Sequence, residues 1–409
     1  MTAEVTDPGD VIVVGNFSDD PFAIDVAYAF GQSEDIADLI SIKTFANTEF
    51  CPRFISDEAD LSAIGSQLVG KTVVIVSTTN RVTSRNSLAM RNMLIARAAK
   101  DNGAKNVVLV EPDLFYSAQD RGPQLDQGHA QFDREVGDLK KFDGQPFSAR
   151  LYAEMLHLAG VDRVVTVHNH SSSVEAEFSR VFDGNFHNLI PYDIYVDYLH
   201  ESDIIDLSGD GSGLALCAPD QGAREFVQEM HKRLGLPNVK FIQLDKMRSG
   251  ERDVEIALHP DSDMTFDEIR GYDIVLFDDM VRTGSTVVSS CEFIQKVAPR
   301  RVVFAVTHFY ASDEGREKLA NHAIDEILTL NTLPTILNRD VQGRLRKKLV
   351  VLKIEIWLAQ RLAEILGFPV SSENPGYQID MSSKNPRFRH KIYSNGELAG
   401  LRQPKFPGV

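Results

Sequence analysis

Short runs rich in β-branched residues recur along this chain of 409 residues, separated by longer stretches with helical spacing. That alternation constrains the fold more than any other feature. Val11–Val14, Thr72–Val76, Asn106–Val110, Val164–Val167, Leu214–Cys217, Ile274–Phe277 and Val302–Val306 are dominated by apolar side chains at odd and even positions alike. A strand without a polar face is buried on both sides, the condition of a parallel sheet covered by helices. Between these runs, residues 87–104 (SLAMRNMLIARAAKDNGA) and 148–161 (SARLYAEMLHLAGV) repeat apolar residues at helical intervals and run out at or beside glycine. The expectation is an α/β chain of doubly wound parallel sheets, with a length that suits two domains.

Three segments break the rhythm. Residues 120–145 are polar and rich in Gly and Asp, and read as a long surface excursion. Residues 207–213 (LSGDGSG) read as a loop. From Val370 onward no apolar periodicity is found, and residues 383–409 carry six Lys/Arg (Lys384, Arg387, Arg389, Lys391, Arg402, Lys405) against Glu397. The whole chain has a formal charge of −16, which argues against a general nucleic-acid or membrane-surface binder, because phosphate backbones and anionic lipids attract positive charge. The basic tail is therefore expected to lie across an acidic neighbouring subunit. Cys51, Cys217 and Cys291 form no CxxC pair, consistent with a reducing compartment and no zinc cluster. No secretory signal opens the sequence and no apolar run approaches the ~18 residues of a membrane span, so a cytoplasmic enzyme is expected.

GSQLVGKT (65–72) satisfies the phosphate-loop pattern GxxxxGK[ST] letter for letter. Such a loop follows a strand and opens a helix, so that backbone N–H groups and the helix dipole face the phosphates. Here a strand-like run, TVVIVS, comes after it, and the match is read as coincidence. GDGSG (209–213) is glycine-rich without dinucleotide-binding spacing.

The stretch YDIVLFDDMVRTGST (272–286) is different. Ile274–Phe277 is expected to be a buried strand that ends at Asp278 and Asp279. The segment from Ser285 onward repeats Val288, Cys291, Ile294 and Val297 on one face. Thr283, Gly284, Ser285 and Thr286 then form the start of a helix. Uncapped N–H groups, hydroxyls and the positive end of the dipole converge there, which suits a phosphate monoester. Adjacent carboxylates can accept hydrogen bonds from sugar hydroxyls, so the ligand expected is a phosphosugar, most simply a pentose 5-phosphate. Taken alone the turn also reads as an ordinary helix cap; the paired acids weigh against that, since buried carboxylates are costly.

DDMVRTGST resembles the phosphoribosyl-diphosphate loop of type I phosphoribosyltransferases and ribose-phosphate diphosphokinases. Further stretches resemble the diphosphokinase family in order. IKTFANTEF (42–50) is similar to its "RFxDGE" segment, LFYSAQDR (114–121) to "YxRQDR", and VTVHNHSSSVEAEF (165–178) to "DLHxxQxxxFF". APDQG (218–222) is similar to "SPDxGG" and LDKMRSGERDVEI (244–256) to the catalytic flexible loop; THFYAS (307–312) and LTLNTLP (328–334) continue the match. The resemblance spans roughly residues 10–370. It implies two doubly wound domains of the type I phosphoribosyltransferase-like fold: 1–185 with the ATP side, 186–355 with the ribose-phosphate and catalytic loops, and 356–409 as a C-terminal helix and extended tail.

The implied reaction moves the diphosphate of ATP to the 1-hydroxyl of ribose 5-phosphate, giving phosphoribosyl diphosphate and AMP. Lys246 and Arg248 are implied as the catalytic cations that neutralise phosphoryl oxygens. Asp278, Asp279, Arg282, Thr283, Gly284, Ser285 and Thr286 are implied for the ribose phosphate. Phe45, Asn47, Glu49, Gln119, Asp120 and Arg121 are implied for ATP, and His170 and Asp220 for Mg²⁺. The family also implies a homo-oligomer, hexamers built from dimers. Four positions depart from its pattern: Arg282 and Asn47 where Asp is usual, Ala118 in place of the arginine of "RQD", and His168 in place of the Asp of "DLH". These departures leave room for a silent regulatory homologue, and a phosphoribosyltransferase is a further alternative.

Overall fold

A computed structural model describes residues 8–380 apart from 18, 63, 131–132, 208, 249–253, 311 and 370–375; at 8, 246–248 and 254–255 only the backbone is described. The chain divides into two compact units, Met1–Ile190 with Glu355–Gly376, and Pro191–Ile354 with Tyr377–Val409.

In the first unit β1 (Val11–Gly15) leads to α1 (Pro21–Phe30), α2 (Ile36–Leu39) and an antiparallel hairpin of β2 (Ile40–Thr44) and β3 (Phe50–Phe54). Then follow β4 (Thr72–Val76), α3 (Arg85–Asp101), β5 (Asn106–Glu111), α4 (Val136–Lys141), α5 (Ser148–Ala159), β6 (Arg163–Val167), α6 (Ser172–Val181) and β7 (Phe186–Leu189). The sheet runs β1-β4-β5-β6-β7, all parallel. Every residue of β4 is buried, which is why its sequence carries no polar alternation. The helices begin and end on local chemistry: Ser84 accepts from the Ser87 N–H at the start of α3, and Gly160 closes α5 in the left-handed region.

The second unit opens with α7 (Tyr192–Glu201), β8 (Leu214–Ala218), α8 (Arg224–Leu234), β9 (Lys240–Arg248) and β10 (Val254–Leu258). It continues with β11 (Asp273–Val281), α9 (Ser285–Gln295), β12 (Arg301–Phe309), α10 (Asp313–Leu319), β13 (Glu326–Leu330), α11 (Arg339–Gln342) and β14 (Leu349–Lys353). The chain then contributes α12 (Glu355–Leu366) to the first unit and β15 (Gln378–Ile379) to the second. The sheet order is β10-β9-β8-β11-β12-β13-β14-β15. After β8 the chain adds β9 on one side, then returns to place β11 on the other. This reversal is the topological switch point, where open α/β sheets bind ligands beyond the strands' carboxyl ends.

Three sequence expectations are corrected. β11 does not end at Phe277; it runs through both aspartates to Val281, because β12 pairs with it as far as Phe309. The excursion at 120–145 is not a bare loop, since it carries α4 and folds around Arg134. That nearly buried guanidinium donates to the carbonyls of Gly122, Gln124, Gln127 and Gly128 and to the Asp138 carboxylate. Within the tail, Gln378–Ile379 pairs antiparallel with β14; residues 381–409, with the basic cluster, lie outside the described residues. GSQLVGKT runs into β4 rather than into a helix, and Lys71 Nζ donates to the Gly9 carbonyl and Asp10. Cys51, Cys217 and Cys291 are free thiols. Among the described residues no helix is long and apolar enough to cross a membrane.

Candidate active site

The switch point of the second unit gathers acids. Asp278 and Asp279 stand on the emerging end of β11, and Asp220 follows the end of β8. The Asp279 N–H donates to Asp278 Oδ1 at 2.9 Å, and the Met280 N–H to Asp279 Oδ1 at 2.7 Å. Asp220 Oδ1 accepts from the N–H groups of Gly222 and Ala223, closing the 218–222 turn. Burial pushes the Asp278 carboxyl well above the usual carboxylate range, and the charges of Asp279 and Asp220 push it the same way.

Beyond β11 the chain turns into α9. Gly284 is the N-cap, in the left-handed region at φ 71°, and no side chain caps the helix. Thr283, Ser285 and Thr286 are exposed. An 11-residue helix thus presents uncapped N–H groups and three hydroxyls at its positive end. Arg282 is exposed too, its guanidinium 5.7 Å from the centre of the Tyr310 ring. Lys318 of α10 donates to Ser285 Oγ at 3.1 Å. Sequence reasoning missed Tyr310 and Lys318. The available signal was their place just after β12, the strand next to β11.

Lys246 and Arg248 lie on β9, their backbones paired with Ile256 and Val254 of β10. Their side chains and residues 249–253 lie outside the described residues. A two-strand ribbon extending past the sheet, rather than a free loop, carries these two positions.

In the first unit, Phe45, Asn47 and Glu49 form the exposed tip of the β2–β3 hairpin. The Phe45 N–H donates to the Glu49 carbonyl, Asn47 Oδ1 accepts from the Glu49 N–H, and Lys43 Nζ sits 4.9 Å from the Phe45 ring centre. A second group is assembled at the ends of β5 and β6. Gln119 Oε1 accepts from Ser148 Oγ, Asp120 Oδ2 from Ser171 Oγ at 2.7 Å, and Arg121 stacks on Phe142 while facing Asp120 and Asp138. His170 is exposed in the turn that Ser171 ties to Asp120; the preceding His168 is buried with φ 46°. Ala118 is exposed.

Beneath that group lies a buried network the sequence did not suggest. Glu111, fully buried at the end of β5, accepts from Asn92, Tyr152 and the Phe115 N–H. Burial pushes its carboxyl up to about 7. Arg85 pairs with Asp113 and stacks on Phe115.

Among the described residues no three His, Cys, Asp or Glu side chains gather into a metal cage. Mg²⁺ does not need one. It is ordinarily held by one or two carboxylates, waters and substrate phosphates, and the carboxylate of Asp220 fits that pattern.

A largely parallel sheet whose order reverses beside an acid pair and a hydroxyl-lined helix start has the arrangement of the type I phosphoribosyltransferase-like class. The family described as the phosphoribosyl transferase domain matches residues 201–331, and the N-terminal domain of ribose phosphate pyrophosphokinase matches 31–127. A ribose-phosphate pyrophosphokinase of Corynebacterium efficiens is 30% identical over 327 residues, covering 80% of this chain and 84% of the relative. That of Corynebacterium glutamicum is 28% identical, covering 68% and 74%. The crystal structure of phosphoribosylpyrophosphate synthetase from Mycobacterium smegmatis shares the fold, with TM-score 0.65 at 21% identity over 87% of this chain and 98% of that one. The chain belongs to the ribose-phosphate pyrophosphokinase family.

Proposed function

We propose that this chain transfers the diphosphate of ATP to the 1-hydroxyl of ribose 5-phosphate, releasing AMP and phosphoribosyl diphosphate. The observation that carries this reading is the juxtaposition of the Asp278–Asp279 pair with the uncapped, hydroxyl-lined turn Thr283–Thr286 at the switch point. The turn offers N–H and O–H donors to the 5-phosphate. The acids accept from the ribose hydroxyls and fix the sugar's orientation, the positioning on which such a transfer depends together with charge stabilisation. Lys246 and Arg248, on the β9–β10 ribbon, are assigned to the phosphoryl oxygens that gain charge in the transition state. The hairpin tip Phe45–Glu49 and the Gln119–Arg121 group are assigned to ATP, Phe45 offering a ring face and Glu49 and Asn47 polar groups for the base.

Asp220, by its carboxylate, and His170, through water, are each proposed as contacts of the Mg²⁺ that would neutralise the triphosphate. The chain is proposed to act as a homo-oligomer. The domain limits proposed are 1–185, 186–355 and 356–409.

The reading is tested by separating nucleotide products after incubation with ATP, Mg²⁺ and a panel of phosphosugars. AMP formed only with ribose 5-phosphate or a close relative is the expected result. ADP, or no turnover with any sugar, overturns it; recovery of activity only on mixing with an active homologue would identify a regulatory subunit instead.

A further inference from the structure

We propose that Lys318 is a second cation of the phosphate turn and makes the site select a dianionic phosphate monoester, an inference that rests on the assignment of that turn to a sugar phosphate. Lys318 belongs to none of the motifs that carry the resemblance. It stands 33 residues after Ser285, yet its Nζ donates to Ser285 Oγ at 3.1 Å. Glu314, one helical turn earlier, holds the same ammonium at 2.8 Å.

Packing sets this placement. A Cβ on Gly284 would lie 2.9 Å from Leu319 Cγ and 3.5 Å from the Gly315 carbonyl oxygen. Glycine thus lets α10 close directly on the turn, and Leu319 is wholly buried there. Ser312 fixes the other end of the helix by accepting from the Gly315 N–H. Lys318 is therefore carried to the turn by the residue beside it, although its own side chain remains partly open to solvent.

The chemistry follows from donor counting. An ammonium has three N–H donors and no acceptor. Ser285 and Glu314 take two, which leaves one for a ligand. Because Ser285 Oγ already accepts from Lys318, its own hydrogen is left to donate to an incoming oxyanion. One phosphate oxygen can then take both donors. The amides and hydroxyls of the turn are neutral and discriminate weakly between one negative charge and two. A cation at hydrogen-bond range favours the second charge, since charge-assisted bonds are roughly twice as strong as neutral ones.

The test is calorimetric titration of the full chain with ribose 5-phosphate and with ribose 5-sulfate, a near-isostere bearing one charge fewer. The wild type is expected to prefer the phosphate. Lys318→Gln is expected to weaken ribose 5-phosphate binding by about tenfold, the effect of one hydrogen bond to a charged group, while changing sulfate binding much less. Glu314→Gln, which releases the ammonium, is expected to tighten the phosphate. Thermal unfolding of each variant checks that the fold is intact. If Lys318→Gln binds both esters as the wild type does, the assignment of Lys318 is wrong while the sugar-phosphate site stands. If the wild type binds neither ester, the reading of the turn itself fails.

Discussion

The backbone N–H of Asp279 donates to Asp278 Oδ1 at 2.9 Å, tying the two acids of β11 to each other at the point where the strand leaves the core. That bond favours the carboxylate, but burial, with the charges of Asp279 and Asp220 beside it, outweighs the bond and disfavours the charge. Such an arrangement costs stability and is retained where a ligand uses it. Unfolded, this carboxyl releases its proton near 3.8; folded, it holds on to a much higher pH. The folded state therefore binds the extra proton between those limits, and stability falls as pH rises through them. Asp278→Asn should raise stability at pH 8 by roughly 1–3 kcal/mol, the scale of an uncompensated buried polar group, and should abolish turnover. Urea denaturation of both proteins at pH 5 and 8 measures this. A variant less stable than the wild type at pH 8 would show the acid to be structural.

Glu111 makes a parallel case in the first unit. Its ordinary value of 4.5 is raised to about 7, chiefly by burial. From pH 4.5 to 7 the folded protein keeps a proton that the unfolded chain has lost, so this residue's contribution to stability declines by on the order of 3 kcal/mol across that window. Asp20, raised to about 6, adds to the decline in the same direction. Glu111→Gln should flatten the pH dependence of the urea midpoint between pH 4.5 and 8 without removing the part due to Asp20. An identical pH profile in the variant would mean that Glu111 is ionised throughout.

Lys246→Ala should lower kcat by about a hundredfold or more while leaving ATP affinity within a few-fold, because a charge needed mainly in the transition state contributes little to ground-state binding. Steady-state kinetics alongside nucleotide titration separates the two. Unchanged turnover would remove Lys246 from the mechanism.

Arg282 stands where the resemblance has an acid, and its guanidinium lies over Tyr310, next to the turn Thr283–Thr286 proposed to hold the phosphate. Arg282→Asp removes a five-donor cation and adds a like charge. The KM for the sugar phosphate should rise by about tenfold, the effect of one charge-assisted bond, with the KM for ATP little changed. Indifference of both constants would make Arg282 a surface residue.

The parts of this fold visible in the sequence were those buried on both faces. β4, β5, β6, β8 and the inner half of β11 are continuous apolar runs, because helices or neighbouring strands cover each side. The outer half of β11 was invisible for the same reason. From Asp278 to Val281 the ladder to β12 continues, with Met280 facing His308 and Val281 facing Phe309, but polar residues interrupt the apolar pattern that marks a strand. The β9–β10 ribbon was read as a loop because LDKMRSGERDVEI carries no strand-like apolar pattern, although the ribbon's backbone pairs from Leu244 with Leu258 to Arg248 with Val254. Arg134 looked like one charge in a polar excursion. Only the folded chain reveals that four carbonyls converge on it. The strand end and helix start at 278–286 were legible because glycine, hydroxyls and paired acids sit within nine residues of one another. Lys318 was not, since its partnership with Ser285 depends on two neighbouring strands delivering their helices to one place.

The central claim is that a diphosphate moves from ATP to the anomeric oxygen of ribose 5-phosphate. Phosphorus NMR of the protein with ATP, Mg²⁺ and ribose 5-phosphate follows that transfer directly. The account predicts loss of the three ATP resonances with growth of an AMP signal and two coupled resonances of a diphosphate ester at the sugar's C1. Resonances of ADP and a sugar bisphosphate, or ATP left intact, would contradict it.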